Sequence, residues 1–394
     1  MRKLTWDAII ARRLSRHHLV KPAARAKIAD VVGDVCGIHA QVMTSAYHSL
    51  GLRIVGITRV DIDAGLWERR ELVKTFGVRG TVHLLPAREL GWWLAALRAG
   101  ARADPRRLAY LGITAAQLVT MTDAVGEALV GRALTREELG AAVVRRVRRS
   151  VDRTMGAFGG QWPVWQAAIG EAALAGTICF GPSKGARATF VRVDEWIGKL
   201  ATPDPEQAQR EMLLRYLAAY GPATVREFAQ WAALDRSAAR ELALRLGGAV
   251  EEVDVEGVTA LQVAGDRSAR ALTATSTLLL PRFDAYVVGS HPRDVLIPPA
   301  VVDRAAATGL LHPRSGTGRA FLAGPMPVLV LDGRVVGLWD ADRSARRLTV
   351  RVQPFVRLEP QRRDALEDAA QRLGEILGLE VALTMANVRT RPHL

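Results

Sequence analysis

The order helix, helix, helix, hairpin recurs three times between residues 5 and 263, and this recurrence constrains the fold more than any single motif does. In the first copy Thr5 can N-cap a helix through Trp6, Ile9, Ile10, Arg13 and Leu14, whose apolar positions return every three and four residues. Pro22 opens a second helix, Ala23 to about Cys36, with Ile28, Val31, Val32 and Val35 on one face. Gly37 breaks it, the short segment Ile38-His39-Ala40-Gln41 follows, and a third helical pattern runs through Tyr47. The passage from Leu72 to Leu85, stopped by Pro86, reads as β-rich.

The second copy has helical periods over 114 to 130, 135 to 149 and 161 to 175, with Thr135 and Glu138 spaced as a capping box. Two strand-like runs follow, 177 to 180 and 188 to 193, joined by a basic tip that carries Lys184 and Arg187. After the linker Thr202-Pro203-Asp204-Pro205, the third copy reads as helices near 206 to 220, 224 to 233 and 236 to 246. Its hairpin, 249 to 255 and 258 to 263, turns at Glu256-Gly257. Beyond about 270 the pattern becomes strand-rich, over 276 to 280, 328 to 332, 335 to 339 and 348 to 352, before a last helix from Gln361 to Leu377. Three helices with a small sheet make a winged helix, and a short run of strands suits a small barrel or curled sheet. The expectation is therefore an α+β, mainly helical chain: three tandem winged-helix domains plus a C-terminal β-barrel domain. Their expected bounds are 1–105, 106–200, 201–268 and 269–394.

Charge narrows the partners. The 394 residues carry 54 basic against 40 acidic side chains, a net charge of +14, and all but six of the bases are arginine. Codon bias accounts for arginine over lysine but not for the surplus, so a polyanion is the expected partner, nucleic acid ahead of a membrane surface. The longest apolar runs fall far short of the roughly 20 residues of a bilayer span. Asp7, Arg12, Arg13 and Arg16 interrupt the place where a signal peptide needs an apolar core. Cys36 and Cys179 form no CxxC, which argues against a disulfide framework or a thiolate zinc site and for a reducing cytoplasm.

Five stretches, in order, resemble one family: Gly37-Ile38-His39-Ala40-Gln41, the strand Arg79 to Pro86, Val225 to Trp231, Leu280-Pro281-Arg282-Phe283-Asp284-Ala285-Tyr286, and Val330 to Trp339. The chain resembles the AlkZ-type bacterial DNA glycosylases, often described only as winged-helix DNA-binding-domain proteins, over nearly its whole length. The resemblance implies three winged helices and a β-barrel around a DNA-sized concave face. It also implies hydrolysis of the bond between deoxyribose and an N7-alkylated purine, bulky adducts included, without a cofactor. The family's catalytic motif is Gln, an apolar residue, Gln; here His39, Ala40 and Gln41 stand in those places. That pattern is similar to a branch associated with self-resistance to genotoxic antibiotics. Double-stranded DNA carrying such adducts is the implied partner, with a monomer in the bacterial cytoplasm, at the nucleoid, as the expected form.

The residue chemistry agrees with that implication. N7 alkylation makes the base a cationic leaving group, so the protein need only stabilise an oxocarbenium ion and aim a water molecule. A neutral imidazole at His39 can take the water's proton, and the Gln41 amide oxygen can hold its other hydrogen. Residues two apart share a side only in extended chain, so the motif should lie at a helix break. No lysine adjoins it, the nearest being Lys27 and Lys74, which favours a monofunctional glycosylase over a Schiff-base lyase. Arg79, Thr81 and His83, alternate residues of one strand, are candidates for the DNA face. So are Lys184 and Arg187 on the second hairpin tip, and the basic run Arg145, Arg146, Arg148 and Arg149.

Competing chemistries have less support. The eight histidines show no metal-binding spacing, and the segment 181 to 187 lacks the order of a phosphate-binding loop. A non-catalytic winged-helix regulator is the principal rival. A metal-dependent nuclease would have to rest on Asp61 with Asp63 or Asp340 with Asp342.

Overall fold

A computed structural model describes residues 1–101, 105–147, 153–157, 160–268, 275–309 and 322–389. The fold is mixed α+β, and the chain divides into two compact units: Met1–Asp63 with Leu213–Leu394, and Ala64–Met212. The first unit is discontinuous in sequence.

The discontinuous unit is built on two sheets. In the smaller, the N-terminal strand Arg2–Leu4 lies parallel to Val250–Val255, which forms the third hairpin with Val258–Val263. That hairpin turns where expected, with Glu256 and Gly257 both at positive φ. The larger sheet has five strands: Thr277–Leu280, Val328–Leu331, Arg334–Arg343 and Arg347–Pro354 as an antiparallel meander, then Glu380–Met385 parallel to Arg347–Pro354. The helix Pro360–Leu377 makes the crossover that a parallel pair requires.

This sheet is covered on both faces, which explains why its strands read as unbroken apolar runs. Leu279, Leu329, Trp339, Val350 and Val352 pack with Leu366, Ala370 and Leu373 of the crossover helix. Their neighbours Leu278, Leu280, Val328, Val330 and Leu338 face the other way, joining Ile10 and Leu14 of the helix Trp6–Arg16. The turn Asp332-Gly333 enters that second core. A Cβ on Gly333, at φ +79°, would lie 2.2 Å from an Ile10 methyl. Of the barrel or curled sheet expected here, the structure has an open, half-barrel sheet, because Thr277–Leu280 and Glu380–Met385 each pair with a single neighbour among the described residues.

Two expected helices are shorter than their apolar periods suggest. Ala23 bridges to Ile54, so the second helix covers only Ile28–Asp34 after a short 3-10 turn. In the continuous unit, Gly160–Pro163 pairs with Thr154–Ala157, and the helix expected from Gln161 begins at Ala167. That unit otherwise carries the helices Ala115–Ala128 and Arg136–Val147, and the strands Leu134–Thr135, Ile178–Lys184 and Arg187–Arg192 in one sheet. The Thr135 capping box is formed, Thr135 N–H donating to Glu138 at 2.7 Å and Glu138 N–H to Thr135 Oγ1 at 3.3 Å. No helix among the described residues is long and apolar enough to cross a membrane.

Candidate active site

The segment His39-Ala40-Gln41 sits between two helices of the discontinuous unit, and the backbone explains how it gets there. The helix Ile28–Asp34 ends in a Schellman motif: Cys36 N–H donates to Gly33 O at 3.0 Å and Gly37 N–H to Val32 O at 2.8 Å. Cys36 and Gly37 both adopt positive φ, +61° and +98°, which turns the chain sharply into the extended pair Ile38–His39. The Tyr220 hydroxyl donates to Val35 O at 2.9 Å and ties this turn to the third-copy helix Pro205–Tyr220. The helix Met43–Arg53 then begins without a side-chain cap.

Burial alternates through the motif. Ala40 is fully buried, His39 is half-buried and Gln41 is exposed. The extended pair ends at His39, and Gln41 lies in the bend that leads into the next helix.

A second segment approaches the motif from 240 residues away in sequence. The His39 ring lies 6.1 Å from that of Phe283, centroid to centroid, with a 33° tilt. Phe283 holds φ at +57°, and its N–H donates to Gly324 O at 2.8 Å. Next to it, Asp284 caps the helix Ala285–Gly289 through Tyr286 N–H and forms a two-pronged ion pair with Arg53, at 2.7 and 2.9 Å. The Ser49 hydroxyl donates to the same carboxylate at 2.7 Å. Both charged side chains have no exposed surface. Burial pushes the Asp284 carboxyl up, but Arg53, Ser49 and the Tyr286 N–H outweigh it and hold it below the usual range. Ser49 and Arg53 lie on the helix that follows the motif, so this network fixes the Phe283 loop to that helix.

The sequence contains little that could have revealed this arrangement. Leu280 to Tyr286 stands out as a stretch of the resemblance but carries no recognisable chemistry, and Arg53 and Asp284 are separated by 231 positions.

The remaining candidates lie in the continuous unit. Arg79 is exposed in a left-handed conformation at the tip of the hairpin Leu72–Phe76/Val82–Pro86. Thr81 is half-buried and donates its hydroxyl to Val78 O at 3.0 Å. His83, expected on the same outward face, is buried: its Nδ1 bonds to Thr81 O at 2.8 Å, and its ring fills the space beside Gly77. Burial pushes the imidazole down to about 4, so His83 is a neutral interior residue, where an outward one was expected. Lys184 pairs with Glu138 at 3.1 Å, and Arg187 is exposed. Arg145 and Arg146 are exposed at the end of the helix Arg136–Val147, Arg146 at 3.9 Å from Glu127. Arg148 and Arg149 lie outside the described residues.

The acid pairs considered for a nuclease are engaged by cations. Asp61 and Asp63 meet Arg25 and Arg59, and Asp340 and Asp342 both meet Arg351. Among the described residues no group of three or more His, Cys, Asp or Glu is placed to hold a metal ion.

Comparison with known proteins agrees in sequence and in fold. Residues 32–376 match the family model of AlkZ-like DNA glycosylases. The interstrand DNA cross-link repair glycosylase of Streptomyces sahachiroi is 32% identical over 352 residues, 86% of this chain and 88% of that protein. The solved structure of the Streptomyces sahachiroi DNA glycosylase AlkZ superposes with a TM-score of 0.77 at 29% identity, covering 97% of this chain and all of the other. With sequence and architecture matched over most of its length, this chain belongs to the AlkZ-like DNA glycosylase family.

Proposed function

We propose that this glycosylase is monofunctional and hydrolyses the N-glycosidic bond of bulky N7-alkylguanine adducts in duplex DNA, as a self-resistance enzyme against a genotoxic antibiotic. In this reading His39 is the general base. Its neutral imidazole accepts a proton from water while Gln41 holds that water in line with the anomeric carbon. The cationic base departs without protonation by an acid, and no cofactor takes part. Three winged helices hold the duplex as a monomer acts on it, and Arg79, Thr81, Lys184, Arg187, Arg145 and Arg146 contact its phosphates.

The observation that carries the reading is the alternation at His39-Ala40-Gln41. A half-buried histidine, a buried alanine and an exposed glutamine directly after a helix break support a base and an amide acting together. The membership of a glycosylase family weighs against the non-catalytic regulator.

The test is single-turnover base release from a duplex with one N7-guanine adduct. His39→Ala and Gln41→Ala should each slow release by at least about tenfold while duplex affinity changes little. Full rates in both variants would remove the site.

A further inference from the structure

We infer that Phe283 is a positioning residue for His39, held in that role by the buried Arg53–Asp284 pair; the inference rests on His39 being the base. Three observations lead to it. Phe283 is half-buried in a left-handed backbone conformation that an aromatic residue adopts only where its surroundings impose it. Those surroundings are its own N–H on Gly324 O and the carboxylate of the next residue, locked to Arg53 and Ser49. The result of this constraint is a ring that packs at a 33° tilt against the His39 imidazole.

The Phe283 ring lies beside Gly324 and is presented to the one titratable side chain of the motif. The His39 imidazole is half-buried at the end of a two-residue strand. A rigid aromatic wall restricts it, so the nitrogen that takes the proton keeps one direction.

Through Asp284 the Phe283 loop is joined to the helix Met43–Arg53, which directly follows the His39 segment. Phe283 acts through His39 and is not itself given a role on the substrate.

The experiment is a double-mutant cycle in single-turnover base release from N7-methylguanine duplex, with duplex affinity and thermal melting measured alongside. Phe283→Ala should slow release by about tenfold to a hundredfold at unchanged affinity and melting temperature. Phe283→Tyr should restore the rate, because it keeps the ring. In the His39→Ala background, Phe283→Ala should have no further effect. A full rate in Phe283→Ala overturns the inference, as does an equal loss in both backgrounds. A full rate in His39→Ala alone overturns the parent reading instead.

Discussion

Replacing Asp284 by alanine isolates the ion pair under the site. Arg53 has no exposed side-chain surface and donates to the two Asp284 oxygens at 2.7 and 2.9 Å; what remains to it afterwards is Ser49, through its backbone and hydroxyl oxygens. Removing one partner of a fully buried pair leaves an uncompensated charge and costs about 3–5 kcal/mol. Loss of the Asp284 cap on the helix Ala285–Gly289 adds about 1 kcal/mol. Against a domain stability of roughly 5–15 kcal/mol, this is a large fraction of the total. The companion variant Asp284→Ala with Arg53→Met removes both charges and should recover most of the loss, since apolar replacements of buried pairs are often neutral. Urea denaturation followed by tryptophan fluorescence gives both values. A loss below about 1 kcal/mol in the single variant, or a larger loss in the double, would mean that the pair does not carry this stability.

Two further outcomes follow from buried and exposed charge. Burial pushes His48 down to about 3 and His83 to about 4. Both are therefore neutral in the fold, while the unfolded chain protonates them below about pH 6.5, and stability falls as pH drops, by about 1.4 kcal/mol per pH unit for each. Urea midpoints that stay level from pH 7 to pH 5 would contradict this. Affinity for undamaged duplex should fall with salt with a log–log slope steeper than about −2, and Arg79→Ala or Arg187→Ala should each make it shallower by about 0.9. Unchanged slopes in both variants would take those arginines off the DNA.

Local signals in the sequence translated directly into structure. Thr5 accepts the Ala8 N–H, Thr135 and Glu138 form their box, and Glu256-Gly257 turns the third hairpin, because each depends on residues within three positions of one another. The misread segments are those where distant pairing won. Ala23 is drawn into a bridge with Ile54, and the start of the Gln161 helix is drawn into a strand with Thr154–Ala157. The strand Glu380–Met385 went unread because it follows a helix and pairs in parallel, and with it the sheet stays open. The same holds for the candidate site. His39 and Gln41 are visible as a motif at a glycine, whereas the Phe283 wall and the Arg53–Asp284 pair depend on contacts more than 200 positions apart. The period of two that suggested an outward His83 marks a strand face but not which face is covered.

In the proposed mechanism His39 activates water and no acid is assigned to the departing base, so the enzyme should act only on lesions that already carry positive charge. Mass spectrometric detection of free bases, from duplexes carrying N7-alkylguanine, uracil or 8-oxoguanine, measures this directly. Release of the N7-alkylguanine and retention of both neutral bases is the expected result. Release of uracil or 8-oxoguanine at a comparable rate would mean that a general acid operates, and would contradict the mechanism built on His39 and Gln41.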